Sequence, residues 1–184
     1  MNYNFEQFPA LESQLLSLVQ LDENHKGDLF RLLTIPEVTR YFPVIPIAKE
    51  NDLLKKIAYF KQQFNEGSGM RWGITLKGQQ SVIGTIGFSS IIPHHKASIV
   101  YALHPAHQRK GLVTEALGAL LHFGFIDLGL RRIEAEVMPG NTASERLLEK
   151  LGFKYEGLLQ QWMNWEGKYC DIKMFALLNE QAVF

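Results

Sequence analysis

The sequence has one cysteine, no excess of either charge and no long apolar run. Its 19 Lys and Arg balance 19 Asp and Glu, whereas duplex-DNA binders usually carry a basic excess, so direct nucleic-acid binding is not expected. The lone Cys170 excludes an internal disulfide and a thiolate zinc cluster. No run approaches the roughly 18 apolar residues that cross a membrane, and the first ten residues hold no Lys or Arg, unlike a secretory signal. These absences predict a cytoplasmic protein without a membrane partner.

The composition that remains is that of a folded enzyme-sized domain. The chain has 184 residues, of which 46% are hydrophobic and 21% charged, close to the globular average. A domain of about 150 residues is typical, so we expect residues 1–184 to form a single domain. A chain of this length buries roughly 70% of its unfolded surface and needs no metal or disulfide to hold it together.

Apolar periodicity and chain breakers predict a mixed α/β order. Short apolar or alternating runs bounded by turn residues mark strands, and apolar residues at helical spacing mark helices. The short loops between residues 70 and 103 predict an antiparallel meander. Strands are predicted over 13–21, 70–77, 81–92, 96–103, 131–137, 153–163 and 169–178, and helices over 23–34, 49–65, 111–128 and 142–151.

The segment from Leu103 to Thr114 joins the end of a strand to the start of a long helix. The first turn of a helix has backbone N–H groups without helical partners, and the helix dipole adds partial positive charge. A phosphate group therefore fits there. Gly111 has no Cβ where an anion would approach, and Arg109 and Lys110 add charge. An ordinary helix start with solvated basic side chains explains the same pattern, and the pattern alone leaves both interpretations open.

A second helix start follows the strand at 131–137. Asn141 or Thr142 can cap this helix, and Thr142 with Glu145 fits a capping box, which explains the residues without any ligand. The position of the turn suggests more. Two successive strand-to-helix turns, at 103–111 and 137–142, would place two helix starts at the same edge of the sheet, where a ligand could bridge them.

Together these segments resemble the GNAT superfamily of acetyl-CoA-dependent N-acetyltransferases. The pyrophosphate loop of that family, Gln/Arg-x-x-Gly-x-Gly/Ala, is similar to residues 108–113, with Val113 in place of the last Gly or Ala. Further stretches resemble the RimJ/RimL-type branch, whose members acetylate the N-termini of ribosomal proteins. They are PEVTRYFP at 36–43, TEAL at 114–117, RRIEAEV at 131–137, NTASERLLEKLGFKYEGLL at 141–159 and WEGKYCD at 165–171.

The resemblance implies an α/β (α+β) fold with a mixed, mostly antiparallel central sheet, flanked by helices, whose strands splay at the coenzyme site. Pantetheine would pair with the backbone near Ala102 and Leu103. Asn141 would contact the pantetheine side, and Ser144 would protonate the departing thiolate, so these two are the catalytic candidates. The helices at 23–34 and 49–65, with Tyr41 and Phe42, would wall the acceptor site. The implied acetyl-CoA-binding residues are Ala102, Leu103, Gln108, Arg109, Lys110, Gly111, Leu112, Val113, Thr114, Asn141 and Ser144, and no metal is implied.

The implied activity is direct acetyl transfer from acetyl-CoA to a primary amine, and the branch favours a protein N-terminus. Small amines such as polyamines, amino sugars or antibiotics stay open as acceptors, as do a non-catalytic acetyl-CoA sensor and a homodimer. Many relatives carry a Glu, a candidate base, where this chain has Ser98. Glu136 is the best remaining carboxylate, and an ordinary solvated polar face explains its position as well. A weak base favours an α-amine with a pKa near about 8 over a lysine near about 10.4.

Overall fold

A computed structural model describes residues 6–41, 47–165 and 167–181 of the chain. One eight-stranded sheet organises these residues, in the spatial order β1-β2-β3-β4-β5-β6-β8-β7. The strands are β1 (Leu11–Glu12), β2 (Leu16–Gln20), β3 (Met70–Leu76), β4 (Val82–Ile92), β5 (Lys96–Leu103), β6 (Arg132–Val137), β7 (Lys154–Trp165) and β8 (Lys168–Leu178). The helices are α1 (Lys26–Leu33), α2 (Pro36–Thr39), α3 (Asp52–Asn65), α4 (Leu112–His122) and α5 (Thr142–Lys150).

The sheet is antiparallel except at one place. β3, β4 and β5 form the predicted antiparallel meander, whereas β5 and β6 run parallel. A parallel connection needs a crossover, and the chain between β5 and β6 provides it with α4. The predicted mixed, mostly antiparallel sheet flanked by helices is confirmed.

The two faces of the sheet carry separate clusters of buried side chains. Trp72 and Ile74 of β3 belong to the larger cluster, which includes Leu117 and Leu120 of α4 and Leu148 of α5; we call this side the α4 face. Because successive residues of a strand face opposite sides of the sheet, Arg71 and Gly73 face the side opposite to Trp72 and Ile74. The second cluster lies there and joins α1 to α3 through Leu21, Leu29, Leu32, Leu33, Leu53, Ile57 and Val82; we call this side the α3 face.

The N-terminal strand differs from the prediction of one strand over 13–21. Ser13 donates its backbone N–H to the carbonyl of Leu16 at 3.0 Å, and its hydroxyl accepts from the Leu16 N–H at 3.2 Å. These bonds fold the run into a hairpin of β1 and β2, and Leu15 at the turn is exposed. An apolar run alone does not reveal a serine that closes a turn with its side chain.

The long helix predicted over 111–128 changes character at its end. α4 ends at His122, and a π-helical turn runs over Phe123–Asp127, with Leu128 donating to the carbonyl of Phe123 at 3.0 Å. Both Phe123 and Phe125 are buried, which the wider turn allows. The predicted helix stop at Gly129 is confirmed, since its φ is +62°.

Two single residues complete the description. Cys170 is partly buried on β8, opposite Met163. The aromatic loop residue Phe42 lies outside the described residues. Within the described ranges, no helix combines the length and apolar character needed to cross a membrane.

Candidate active site

The most unusual feature of the sheet is a gap between its two parallel strands. β5 and β6 pair only from Lys96 with Arg132 to Ile99 with Ala135. β5 continues to Leu103 and β6 to Val137, so the strands splay beyond that point. Because both strands run in the same direction, the helices that follow them, α4 and α5, begin at the same edge. The predicted splay and the predicted pair of helix starts are therefore present.

Beside the gap, the backbone N–H and C=O groups of successive β5 residues point alternately to β4 and to the gap. His104 donates its N–H to the carbonyl of Ile83 at 2.9 Å, which makes that pair hydrogen-bonded across β4 and β5. In an antiparallel ladder every second residue turns its N–H and C=O to the same neighbour, so Ala102 also faces β4. Tyr101 and Leu103 then turn their backbone groups to the gap. An extended ligand in the gap would meet Tyr101 and Leu103, not Ala102.

The start of α4 leaves its backbone donors free. Gly111 stands at the N-cap with a φ of +79°. The first helical hydrogen bond runs from the N–H of Glu115 to the carbonyl of Gly111 at 3.0 Å. The N–H groups of Leu112, Val113 and Thr114 precede that bond, and within the described residues none of them has an acceptor. With the N–H of Gly111 itself, these three make four donors, which together with the helix dipole suit a diphosphate.

Two side chains near this helix start bind the backbone of the loop that leads into it. Gln108 donates from Nε2 to the carbonyl of Leu103 at 3.0 Å, and Lys110 donates from Nζ to the carbonyl of Ala106 at 2.9 Å. Arg109 has a φ of +60° and is exposed, as are Lys110 and Gly111. A Cβ on Gly111 would meet no atom within 4 Å, so the glycine is required by the backbone conformation and not by crowding.

The start of α5 is built in the opposite way, with side chains. Asn141 is the N-cap, and its Oδ1 accepts from the backbone N–H of Ser144 at 3.3 Å. The hydroxyl of Ser144 forms a hydrogen bond with the hydroxyl of Tyr101 on β5, which bridges the gap on the α4 face. Burial raises the pKa of Tyr101, and the bond to Ser144 acts in the other direction. The pair therefore keeps its protons at neutral pH.

The α3 face beside the gap carries carboxylates. Glu134 is buried and paired with Lys96 at 3.0 Å and with Arg132 at 2.7 Å, so it is neutralised. Glu136 lies two residues further, beyond the last pair of β5 and β6. Glu136 is exposed, but partial desolvation by the surrounding protein raises its pKa; a hydrogen bond from Trp162 opposes the shift, and the charge of Glu134 adds to it.

Most predicted site residues cluster around the gap. The loop 108–114 lies at one helix start and Asn141 with Ser144 at the other, and Tyr41 donates to the carbonyl of Gly140 at 3.1 Å. Sequence reasoning missed Tyr101. The signal that could have found it is strand alternation, because Tyr101 lies two residues before Leu103 and therefore on the same face of β5. In the described part of the chain, no group of three His, Cys, Asp or Glu is arranged to hold a metal.

A family model described as "Acetyltransferase (GNAT) domain" matches residues 16–154. That match covers the sheet from β2 to β6, the gap and both helix starts, and extends to the first residue of β7. The chain therefore belongs to the GNAT acetyltransferase family. It is an N-acetyltransferase that uses acetyl-CoA, and the free donors of α4 and the open backbone of β5 fit that coenzyme.

Individual relatives refine the placement. The chain is 36% identical over 172 residues to an uncharacterized N-acetyltransferase of Bacillus subtilis, YoaA, covering 93% of this chain and 97% of the relative. It is 27% identical to a [ribosomal protein uS5]-alanine N-acetyltransferase of Escherichia coli, covering 83% and 84%. A solved ribosomal L7/L12 alpha-N-protein acetyltransferase in complex with coenzyme A has a TM-score of 0.81 at 21% identity, covering 92% and 98%. At that identity the last likeness concerns the fold.

Proposed function

We propose that the protein acetylates the N-terminal α-amine of a protein in the cytoplasm, as the RimJ/RimL-type enzymes do. The observation that carries the proposal is the gap between β5 and β6, with free backbone donors on one side and a proton-bearing pair on the other. The relative that acts on ribosomal protein uS5 supports a protein acceptor. The chain's higher identity to an uncharacterized enzyme makes the acceptor the point that needs an experiment.

The α4 face is the coenzyme side in this proposal. The N–H groups of residues 111–114 hold the diphosphate, and Arg109 and Lys110 add attraction from the exposed loop. The backbone groups of Tyr101 and Leu103 pair with the pantetheine, which moves the expected contact at Ala102 by one residue. Gln108 holds the Leu103 carbonyl at 3.0 Å and releases it to the ligand. Acetyl-CoA supplies the activated acetyl group, so the protein contributes positioning and electrostatics.

Ser144 is the proton donor at the thioester end of the bound coenzyme. Its hydroxyl lies on the α4 face beside the gap, where a thioester sulfur would lie, and Tyr101 holds it in place. A thiolate leaving group has a pKa near about 8.5, so it needs only modest assistance. Tyr101, whose pKa is raised by burial, stays protonated and can pass its proton to Ser144.

The α3 face is the acceptor side. Glu136 stands at the mouth of the gap on this face, and it replaces the strand carboxylate that Ser98 does not provide. Its raised pKa makes it a better base than an ordinary glutamate. It is still far weaker than an amine, so the acceptor must lose its proton readily. An α-amine with a pKa near about 8 meets that condition, whereas a lysine near about 10.4 is neutral only about once in a thousand at pH 7.5.

The test is a panel of acceptors assayed by release of the coenzyme thiol. The panel holds peptides with free N-termini, the same peptides with blocked N-termini and one lysine, polyamines, and amino sugars. We expect turnover with the free N-termini and almost none with the blocked peptides. Turnover with polyamines or amino sugars alone would establish a small-amine enzyme instead. Binding of acetyl-CoA without turnover on any acceptor would establish the sensor function.

A further inference from the structure

One arginine is buried in the sheet, and no described residue forms an ion pair with it. Arg71 on β3 is only 9% exposed, and its Nε is buried with no hydrogen-bond partner in the structure. The ion pairs among the described residues do not include it. Burial lowers the pKa of Arg71 to about 10. An unpaired buried charge is costly to a fold, and a bound anion that pairs with Arg71 would offset that cost.

A second cation lies near the same place. The guanidinium carbon of Arg71 lies 5.2 Å from the ring centroid of Phe60 on α3, and Nζ of Lys56 lies 5.7 Å from the same centroid. Burial and the charge of Arg71 both lower the pKa of Lys56. Two cations around one aromatic ring repel each other. A bound anion would relieve the repulsion and supply the missing hydrogen-bond acceptors.

A row of paired residues connects this cluster to the gap. Arg71 pairs with Gly87 on β4, and Gly87 pairs with Val100 on β5. Paired residues share a face of the sheet, and Gly87 has no side chain to stand between the other two. Val100 is the first residue of β5 beyond its last pair with β6. Arg71 therefore stands on the α3 face, and its backbone lies about 10 Å from that of Val100 at the gap, since neighbouring strands are about 4.8 Å apart.

We propose that Arg71 and Lys56 bind a carboxylate of the acceptor, held away from the amine that is acetylated. The proposal rests on the proposed function, which places the amine at the gap. An extended peptide advances about 3.3 Å per residue, so a carboxylate about 10 Å away belongs to the second, third or fourth residue. The enzyme then selects N-termini that are followed closely by an acidic group.

The experiment compares pairs of tetrapeptide amides with free N-termini, in which Asp and Asn alternate at the second, third or fourth residue. A further pair, a tripeptide with a free C-terminal carboxylate and its amide, distinguishes a main-chain from a side-chain carboxylate. We expect kcat/KM to be at least about tenfold higher for the acidic member at one position, because hydrogen bonds between charged groups are the strong ones. Equal rates for both members of every pair would overturn the proposal.

The variants are Arg71→Met, Lys56→Met and, as the matched control, Lys55→Met. Lys55 precedes Lys56 on α3 and is exposed. Arg71→Met should lower kcat/KM for the acidic peptide by about ten- to hundredfold and leave the Asn peptide within about threefold. Lys56→Met should act in the same direction by about three- to tenfold, and Lys55→Met should change neither rate.

Thermal unfolding separates a binding role from a structural one. Arg71→Met should melt no lower than the wild type, because it removes a buried unpaired charge. A lower melting temperature with equal loss on both peptides would show a structural role and overturn the proposal. If Arg71→Met does not fold, Lys56→Met decides, since Lys56 is only half-buried.

The failure of the proposed function gives a different result. If no peptide is acetylated, calorimetric titration with the amidated Asp and Asn peptides still measures the site. Tighter binding of the Asp peptide, lost in Lys56→Met, would support the carboxylate site even then. Equal binding of the two would overturn it.

Discussion

The two helix starts at the gap solve the same problem in opposite ways. Every helix begins with backbone N–H groups that lack helical partners. At α5 the side chain of Asn141 meets part of that need by accepting from Ser144 N–H at 3.3 Å. At α4 the N-cap is Gly111, which has no side chain to offer, and its donors stay open. The α5 start is therefore partly capped and presents a hydroxyl, and the α4 start is uncapped and presents backbone donors.

The difference indicates a division of labour across one ligand. An open helix start attracts an anion, so α4 suits the diphosphate end of the coenzyme. The cap at α5 holds Ser144 in place through its backbone N–H, so α5 suits a proton donor that must stand at one atom. If this comparison is right, changes at α4 should affect binding, and changes at α5 should affect turnover or stability.

The largest expected effect is that of Gly111→Asp. It adds a negative charge where the diphosphate would lie, so coenzyme affinity in calorimetric titration should fall by more than about a hundredfold. Gly129→Asp is the control, because Gly129 also has a positive φ, +62°, and it precedes β6 at the edge of the sheet opposite the gap. The control carries the same backbone strain far from the gap and should keep its affinity. Equal affinity in both folded variants would contradict the assignment of α4.

Ser144→Ala should affect turnover rather than binding. Loss of a general acid lowers kcat by about 10²–10⁴-fold, and a thiolate leaving group places this case at or somewhat below the low end. Coenzyme affinity should change by less than about threefold. Tyr101→Phe keeps the ring and removes the hydroxyl that holds Ser144, so it should lower kcat by a smaller factor. Full kcat in Ser144→Ala would reduce that residue to part of the helix start.

Glu136→Gln tests the acceptor side through pH. A base must be deprotonated to act, so activity falls as the pH drops through its pKa, and the raised pKa of Glu136 moves that fall towards neutrality. We expect the wild-type profile of kcat/KM to show this lower inflection and a second one at the amine's own pKa. The variant should lose the lower inflection and, near neutral pH, about tenfold in rate. Coincident profiles would show that the amine reacts without this carboxylate.

Asn141→Ala should have the smallest effect and act mainly on stability. Loss of an N-cap side chain costs about 1 kcal/mol, which lowers the melting temperature of a chain of this size by about 2–4 °C. Asn141→Ser restores a capping oxygen and should recover most of the loss. A fall in coenzyme affinity as large as that of Gly111→Asp would contradict the distinction between the two helix starts.

Local sequence patterns predicted the central strands well, and they missed the N-terminal hairpin and the end of the long helix. The strands over 70–77, 81–92 and 96–103 agree with β3, β4 and β5 to within one residue, because alternation and turn residues bound each of them. The hairpin of β1 and β2 was missed, since it depends on one serine side chain. The π-helical turn after α4 was missed because it continues an unbroken apolar pattern.

The candidate site also has features that local sequence predicts and features that it does not. The loop 108–114 and the capping of α5 follow from residues that are neighbours in sequence, so they were predictable. The bond between Tyr101 and Ser144 joins residues 43 apart, and only the splay of β5 and β6 brings them together. Arg71 lies in a strand that the sequence predicts as mainly apolar, and only the three-dimensional structure shows that its Nε is buried with no hydrogen-bond partner among the described residues.

The most direct test of the central claim uses one peptide with two amines. The peptide has a free N-terminus and one internal lysine, and it is incubated with acetyl-CoA and enzyme near pH 7.5. Fragmentation in a mass spectrometer then locates the acetyl group. The account predicts acetylation at the α-amine, with less than about one part in a hundred on the lysine, because the two pKa values differ by about 2.4. Acetyl groups mainly on the lysine would contradict it.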